Sequence, residues 1–81
     1  MPAPRTFHLT RHLKLRVDQR ELSVDSLKDV IKCPDWRHQQ RRGEHGGFVY
    51  RFEKTVFEGK TLVVVAEVKK SECWIISGFF I

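Results

Sequence analysis

The sequence predicts an α+β domain: two N-terminal helices packed on one face of a three- to four-stranded antiparallel sheet. Three observations carry this. Leu9, Leu13 and Val17 recur at four-residue steps, a second apolar stripe starts after Ser23 and stops at Pro34, and the chain after Gly47 is dense in β-forming runs joined by short turns.

The first helix is expected from about Leu9 to Leu22, a stretch free of Gly and Pro. Ser23 stops it and caps the second, because its hydroxyl can accept from a free N–H and Asp25 suits the positive helix end. Val24, Leu27, Val30 and Ile31 form the apolar stripe of that helix, and Cys33-Pro34 ends it since proline cannot continue the ladder. A short edge strand is expected around Trp36–Gln40, followed by a loop through Glu44-His45-Gly46-Gly47. Phe48–Glu53 alternates, so one face is buried and the other solvated. Thr61–Val68 is nearly continuous in apolar residues, as a central strand should be, and Cys73–Ile81 is strongly β-forming. The short connections Glu58-Gly59-Lys60 and Lys69–Glu72 imply antiparallel pairing.

At 81 residues the chain holds one domain, residues 1–81, with a thin margin of stability. Hydrophobic residues at 41% and charged residues at 31% exclude a disordered chain. Two cysteines cannot form a disulfide framework, so Cys33 and Cys73 read as small hydrophobes. Met1-Pro2-Ala3-Pro4-Arg5 has no apolar signal region and no run is long enough to cross a bilayer, so a cytoplasmic location without membrane contact is expected.

The net charge of +5 points to a polyanionic partner, because the cations cluster. Arg5, Arg11, Lys14, Arg16 and Arg20 face one acid, Asp18. Arg37, His38, Arg41, Arg42 and His45 face Glu44 alone. Within the first helix His12, Arg16 and Arg20 stand at steps of four, between the flank of Leu9, Leu13 and Val17 and that of Leu15 and Leu22. Cations so close to the buried face require partners or a cleft that reaches water. One reading is a fixed network, with Arg16 or Arg20 on Glu53, Glu67 or a strand-edge carbonyl. The other is a cationic cleft that binds phosphate, with His12 transferring protons.

The run His12-Leu13-Lys14-Leu15-Arg16-Val17-Asp18-Gln19-Arg20-Glu21-Leu22-Ser23 resembles the opening of the small bacterial domains grouped as domain of unknown function 4258. Gly59-Lys60-Thr61-Leu62-Val63-Val64-Val65 and Cys73-Trp74-Ile75-Ile76-Ser77 resemble the strands of that family, so the likeness covers roughly residues 8–78. The family is similar to the RelE, ParE and BrnT toxins of bacterial toxin–antitoxin pairs and, more distantly, to barnase-like ribonucleases. The resemblance implies a compact helix-plus-sheet fold, often metal-independent RNA cleavage, and often a cognate antitoxin. The sequence departs from BrnT-like chains after Ile75-Ile76-Ser77, where Gly78-Phe79-Phe80-Ile81 stands in place of an early arginine.

The resulting expectation is a toxin-like, metal-independent endoribonuclease that binds RNA in a basic helix–sheet cleft. The alternative is a non-catalytic RNA- or protein-binding module of the same fold, and a third reading is a ParE-like inhibitor of a protein target. His12, Arg16 and Arg20 are the candidate catalytic residues, with His45 a further proton-transfer group. Arg37, Arg41, Arg42, Tyr50, Arg51 and Lys54 are the candidate RNA-binding residues, although strand alternation sends Tyr50 and Phe52 to one face and Arg51 and Glu53 to the other. The Trp36–Arg42 stretch suits single-stranded RNA, with bases on Trp36 and phosphates on arginine; the competing reading is a solvated loop with Trp36 packed on the sheet edge. No cofactor or metal is expected, since Cys33, His38, His45 and Cys73 match no zinc spacing. The expected partners are RNA, an acidic antitoxin protein, and a second copy pairing through the apolar C-terminal strand, unless residues 1–8 cover its far face.

Overall fold

In the computed structural model, which describes residues 4–81, the chain forms β1 (Thr6–Leu9), α1 (Arg11–Asp18), α2 (Val24–Lys32), β2 (Trp36–Arg42), β3 (Phe48–Phe57), β4 (Lys60–Lys69) and β5 (Glu72–Phe80). Among the described residues the five strands make one sheet in the order β1-β5-β4-β3-β2. The pairs β2–β3, β3–β4 and β4–β5 are antiparallel, whereas β1 runs parallel to β5. The sheet is therefore five-stranded and mixed, which corrects the expectation of three to four antiparallel strands.

The correction has a local cause. Leu9 lies four residues before Leu13 and so continues a helical stripe on paper, yet it is the last residue of β1, pairing with Ile75. Thr10 makes the switch: its extended backbone (φ −65°, ψ 158°) caps α1, and its hydroxyl accepts from the Leu13 N–H at 3.4 Å. The other end of α1 also falls short of the expected boundary. Asp18 is the last helical residue, and Arg20 adopts a left-handed φ of 63° that turns the chain toward α2. The second helix matches its sequence signals, with Ser23 as N-cap, Asp25 in the first turn and Leu27, Val30 and Ile31 buried.

The helices share one face of the sheet. Leu13, Leu27 and Val30 pack with Phe52, Val64, Ala66, Cys73 and Ile75 in a core from which all eight side chains exclude solvent. At roughly 1.5–3 kcal/mol for each large apolar side chain removed from water, this layer is the main source of stability. It fills the interface between helices and sheet. Gly78 lets Leu27 approach the sheet, because a Cβ there would stand 2.8 Å from Leu27 Cδ2.

Two β-bulges set which residues face away from the helices. Gln40 is the extra residue of β2, so Arg41 pairs with Val49 and shares the face of Trp36 and His38 instead of alternating away from it. Ile76 is the extra residue of β5, which leaves Trp74, Ser77 and Phe79 on the same face and turns Gly78 inward. None of the described helices covers this second face, and none is long and apolar enough to cross a membrane.

The first half of β5 is flanked by β1 and β4. Its second half runs on beyond β1, where Thr10 Oγ1 donates to the Ile76 carbonyl at 3.2 Å and Arg16 Nη1 to the Gly78 carbonyl at 2.6 Å. Side chains thus occupy strand carbonyls that a pairing chain would need. Residues 5–9 run along β5, while Met1–Ala3, the rest of the segment expected over the far face, lie outside the described residues.

Candidate functional site

Cross-strand pairing lines up one row of side chains across the open face of all five strands. His8 pairs with Trp74, Trp74 with Glu67, Glu67 with Val49 and Val49 with Arg41. These residues are scattered from position 8 to position 74, and only the sheet brings them together.

The β2–β3 loop folds back over this row because Glu67 holds it. The Glu67 carboxylate is 2% exposed. It accepts from the Gly47 N–H at 2.8 Å, the His45 N–H at 2.9 Å and the His45 ring Nδ1 at 3.1 Å. Gly43 allows the carboxylate to sit this close, since a Cβ there would collide with the Glu67 carboxylate. Burial alone would push the Glu67 carboxyl up. The bonds from the Gly47 N–H, the His45 ring and the His45 N–H outweigh it and hold the group below its ordinary value. Glu67 is therefore a carboxylate near neutral pH and can only accept, so Nδ1 of His45 donates to it, and in the neutral imidazole Nε2 is the nitrogen that bears the lone pair.

Trp74 joins the two histidines. The His45 ring stacks on its indole at 4.1 Å and an interplanar angle of 7°, and the His8 ring at 5.3 Å and 19°. His8 stands on the β1 side of Trp74 and contacts Glu72 through Nε2 at 3.3 Å. Both imidazoles are exposed. A cavity of about 220 Å³ opens beside them, lined also by Leu9, Thr10, Arg41, Glu44 and Ile76. It presents two proton-transfer groups, a guanidinium and a fixed carboxylate within one enclosure.

Below this row lie two more that span β5 to β2, each stepped by two residues of β3 and β4, or about 7 Å, with the bulges of β2 and β5 adding a residue to the first step. Ser77, Val65, Arg51 and His38 form the middle row, and Phe79, Val63, Glu53 and Trp36 the last. Arg51 Nε donates to Glu53 at 3.0 Å and the guanidinium lies over the Phe79 ring at 5.8 Å. Trp36 is parallel to His38 at 5.7 Å.

The residues singled out from the sequence are dispersed by this arrangement. His12 lies exposed in a shallow hollow with Lys14 and Leu15, and Arg20 borders a separate hollow with Leu22 and Phe80. Arg16, between them, is bound to the Gly78 carbonyl and to Glu21 at 3.0 Å. The three do not converge, because α1 ends before Arg20. Of the candidate RNA contacts, Arg41 and Arg51 reach the open face. Arg37 and Arg42 pair with Phe52 and Phe48 on the helix-bearing face, where Arg37 lies over the Tyr50 ring. Lys54 on that face donates to Asp29 of α2 at 2.6 Å, which raises its pKa.

His45 is the one proton-transfer candidate from the sequence that enters the cavity. His8, Glu67 and Trp74 carry no sequence signal for the site: Glu67 and Trp74 sit inside strand patterns, His8 lies in a strand the sequence does not announce, and the row exists only through pairing. Cys33 is exposed and Cys73 buried, with burial pushing the Cys73 thiol up to about 12. Among the described residues no three His, Cys, Asp or Glu side chains are grouped to hold a metal ion. No protein-family model, curated protein or solved structure matches the chain.

Proposed function

We propose that this chain is a toxin-like, metal-independent endoribonuclease whose reaction takes place on the open face of the sheet. The observation that carries the reading is the pair of imidazoles stacked on Trp74, one held by the buried Glu67 carboxylate, in a cavity shared with Arg41. Cleavage of RNA without a metal needs a base for the 2′-hydroxyl, an acid for the leaving oxygen and a cation for charge on the phosphate.

His45 is assigned as the base, through the free Nε2. It takes the proton of the 2′-hydroxyl, and that oxygen attacks the adjacent phosphorus. The bond from phosphorus to the 5′-oxygen breaks, and protonated His8 donates to the departing oxygen. The products are a 2′,3′-cyclic phosphate and a 5′-hydroxyl, and Arg41 stabilises the charge that develops on the phosphoryl oxygens. Glu67 is a positioning residue. A cognate acidic antitoxin, expected from the sequence resemblance, is part of the same proposal.

A non-catalytic RNA-binding module of the same fold is the second reading, favoured by the hydrogen bonds that tie Glu67 to the loop backbone. Incubation of single-stranded RNA with the purified protein and excess chelator separates the two. The ribonuclease reading expects 2′,3′-cyclic phosphate ends that disappear with His45→Ala; intact RNA bound by the protein would favour the module.

A further inference from the structure

We propose that Trp36, at the start of edge strand β2, is a base-stacking subsite for the single strand of RNA whose phosphate occupies the Arg41–His45 cavity. This rests on the ribonuclease reading above and adds where the substrate is gripped beyond the reacting phosphate.

Trp36 is 47% exposed. The His38 imidazole lies parallel to the indole at 5.7 Å and 5°, a stacking arrangement that fixes the orientation of the ring while leaving indole surface open to a base. The pairings Trp36 with Glu53, His38 with Arg51 and Arg41 with Val49 set the indole on the same face as the cavity. Two row steps, with one row between, take the sheet from Arg41 to Trp36, about 14 Å along the strands.

Arg51 occupies the row between them. Its guanidinium is held by Glu53 at 3.0 Å and lies over the Phe79 ring at 5.8 Å, so its position between the cavity and the indole is fixed. The open face thus offers Arg41, Arg51 and Trp36 in successive rows, suited to phosphate, phosphate and base. A duplex cannot use this order, because its bases are stacked inside the helix, whereas a single strand can splay one onto an aromatic ring.

The test is the binding of a 5′-fluorescent 2′-O-methyl oligouridylate, which lacks the attacking hydroxyl and so stays intact, followed by anisotropy. Stacking of one base on an aromatic ring predicts that Trp36→Ala weakens binding about five- to a hundred-fold. Trp36→Phe, which keeps a ring, should lose less. Phe57→Ala removes an exposed aromatic from the far end of β3 and should leave the affinity unchanged. Unchanged affinity in Trp36→Ala, equal affinity for a duplex of the same length, or no binding by the wild-type protein would each overturn the subsite. Cleavage of ordinary RNA is read in parallel. Cleavage with no Trp36 dependence of binding defeats the subsite alone, while Trp36-dependent binding with no cleavage defeats the ribonuclease reading and leaves the subsite standing.

Discussion

His45 and Glu67 lie 22 residues apart in the chain, and their side chains meet at 3.1 Å between Nδ1 and Oε1. The contact joins the β2–β3 loop to the C-terminal part of β4 and fixes the tautomer of the neutral imidazole. Replacing Glu67 by Gln keeps the shape but presents an amide that no longer demands a proton on Nδ1. Glu67→Gln should therefore lower kcat for RNA cleavage about ten- to a hundred-fold with a smaller change in KM. His45→Ala should cost about a hundred- to ten-thousand-fold. Steady-state kinetics on a short labelled RNA checks both.

The same carboxylate should make stability depend on pH. Its pKa in the folded protein lies below the ordinary value of 4.5. Between the two values the unfolded chain binds more protons than the folded one, so stability rises with pH there. The contribution of Glu67 is complete above about pH 4.5 and is lost as pH falls through the folded value. Denaturant titrations across this range should show the wild-type advantage over Glu67→Gln shrinking below pH 4.5; an advantage that stays constant would contradict the assignment.

Gly43 and Gly59 separate crowding from backbone conformation. A Cβ on Gly43 collides with the Glu67 carboxylate, which is pinned by backbone N–H groups and has nowhere to go. Gly43→Ala should cost about 2–3 kcal/mol and release the loop, since a buried charged group would lose its partners. Gly59 has a φ of 73° in the β3–β4 turn and open space around it. Gly59→Ala should cost only the left-handed strain, roughly 1–2 kcal/mol, and leave cleavage intact. Chemical denaturation and the RNA assay distinguish the two effects.

Arg16 is a fastener in this structure. Its guanidinium ties α1 to the Gly78 carbonyl and to Glu21. Arg16→Ala should lower stability by about 1–2 kcal/mol while the folded fraction keeps its cleavage rate. His12→Ala, at an exposed position with no hydrogen-bond partner among the described residues, should change neither property by a measurable amount. Thermal melts together with rates per folded molecule check the pair.

What the sequence revealed followed the reach of its local signals. The cap at Ser23, the stripe Leu27–Ile31 and the three long strands depend on neighbours a few residues away, and they stand where the periodicity expects them. The four-residue β1 was hidden because Leu9 fits a helical stripe, and its parallel partner lies at the other end of the chain. The bulges at Gln40 and Ile76 were equally hidden, since one extra residue leaves the alternation readable but reverses the face of everything after it. That reversal decides the candidate site. It carries Arg41 to the open face beside His45, whereas the helical row His12, Arg16 and Arg20 is broken by the early end of α1. His8, Trp74 and Glu67 meet only through long-range pairing, which no spacing in a single sequence records.

The central claim, that RNA is cut on the open face of the sheet by the two histidines flanking Trp74, is tested most directly by a four-variant cleavage assay. His8→Ala, His45→Ala, His12→Ala and Arg16→Ala are compared with the wild-type protein on one single-stranded RNA in excess chelator, with rates corrected for the folded fraction. The prediction is a loss of at least about a hundred-fold in the first two and wild-type rates in the last two. Wild-type rates in His8→Ala and His45→Ala, or a loss confined to His12→Ala and Arg16→Ala, would contradict it.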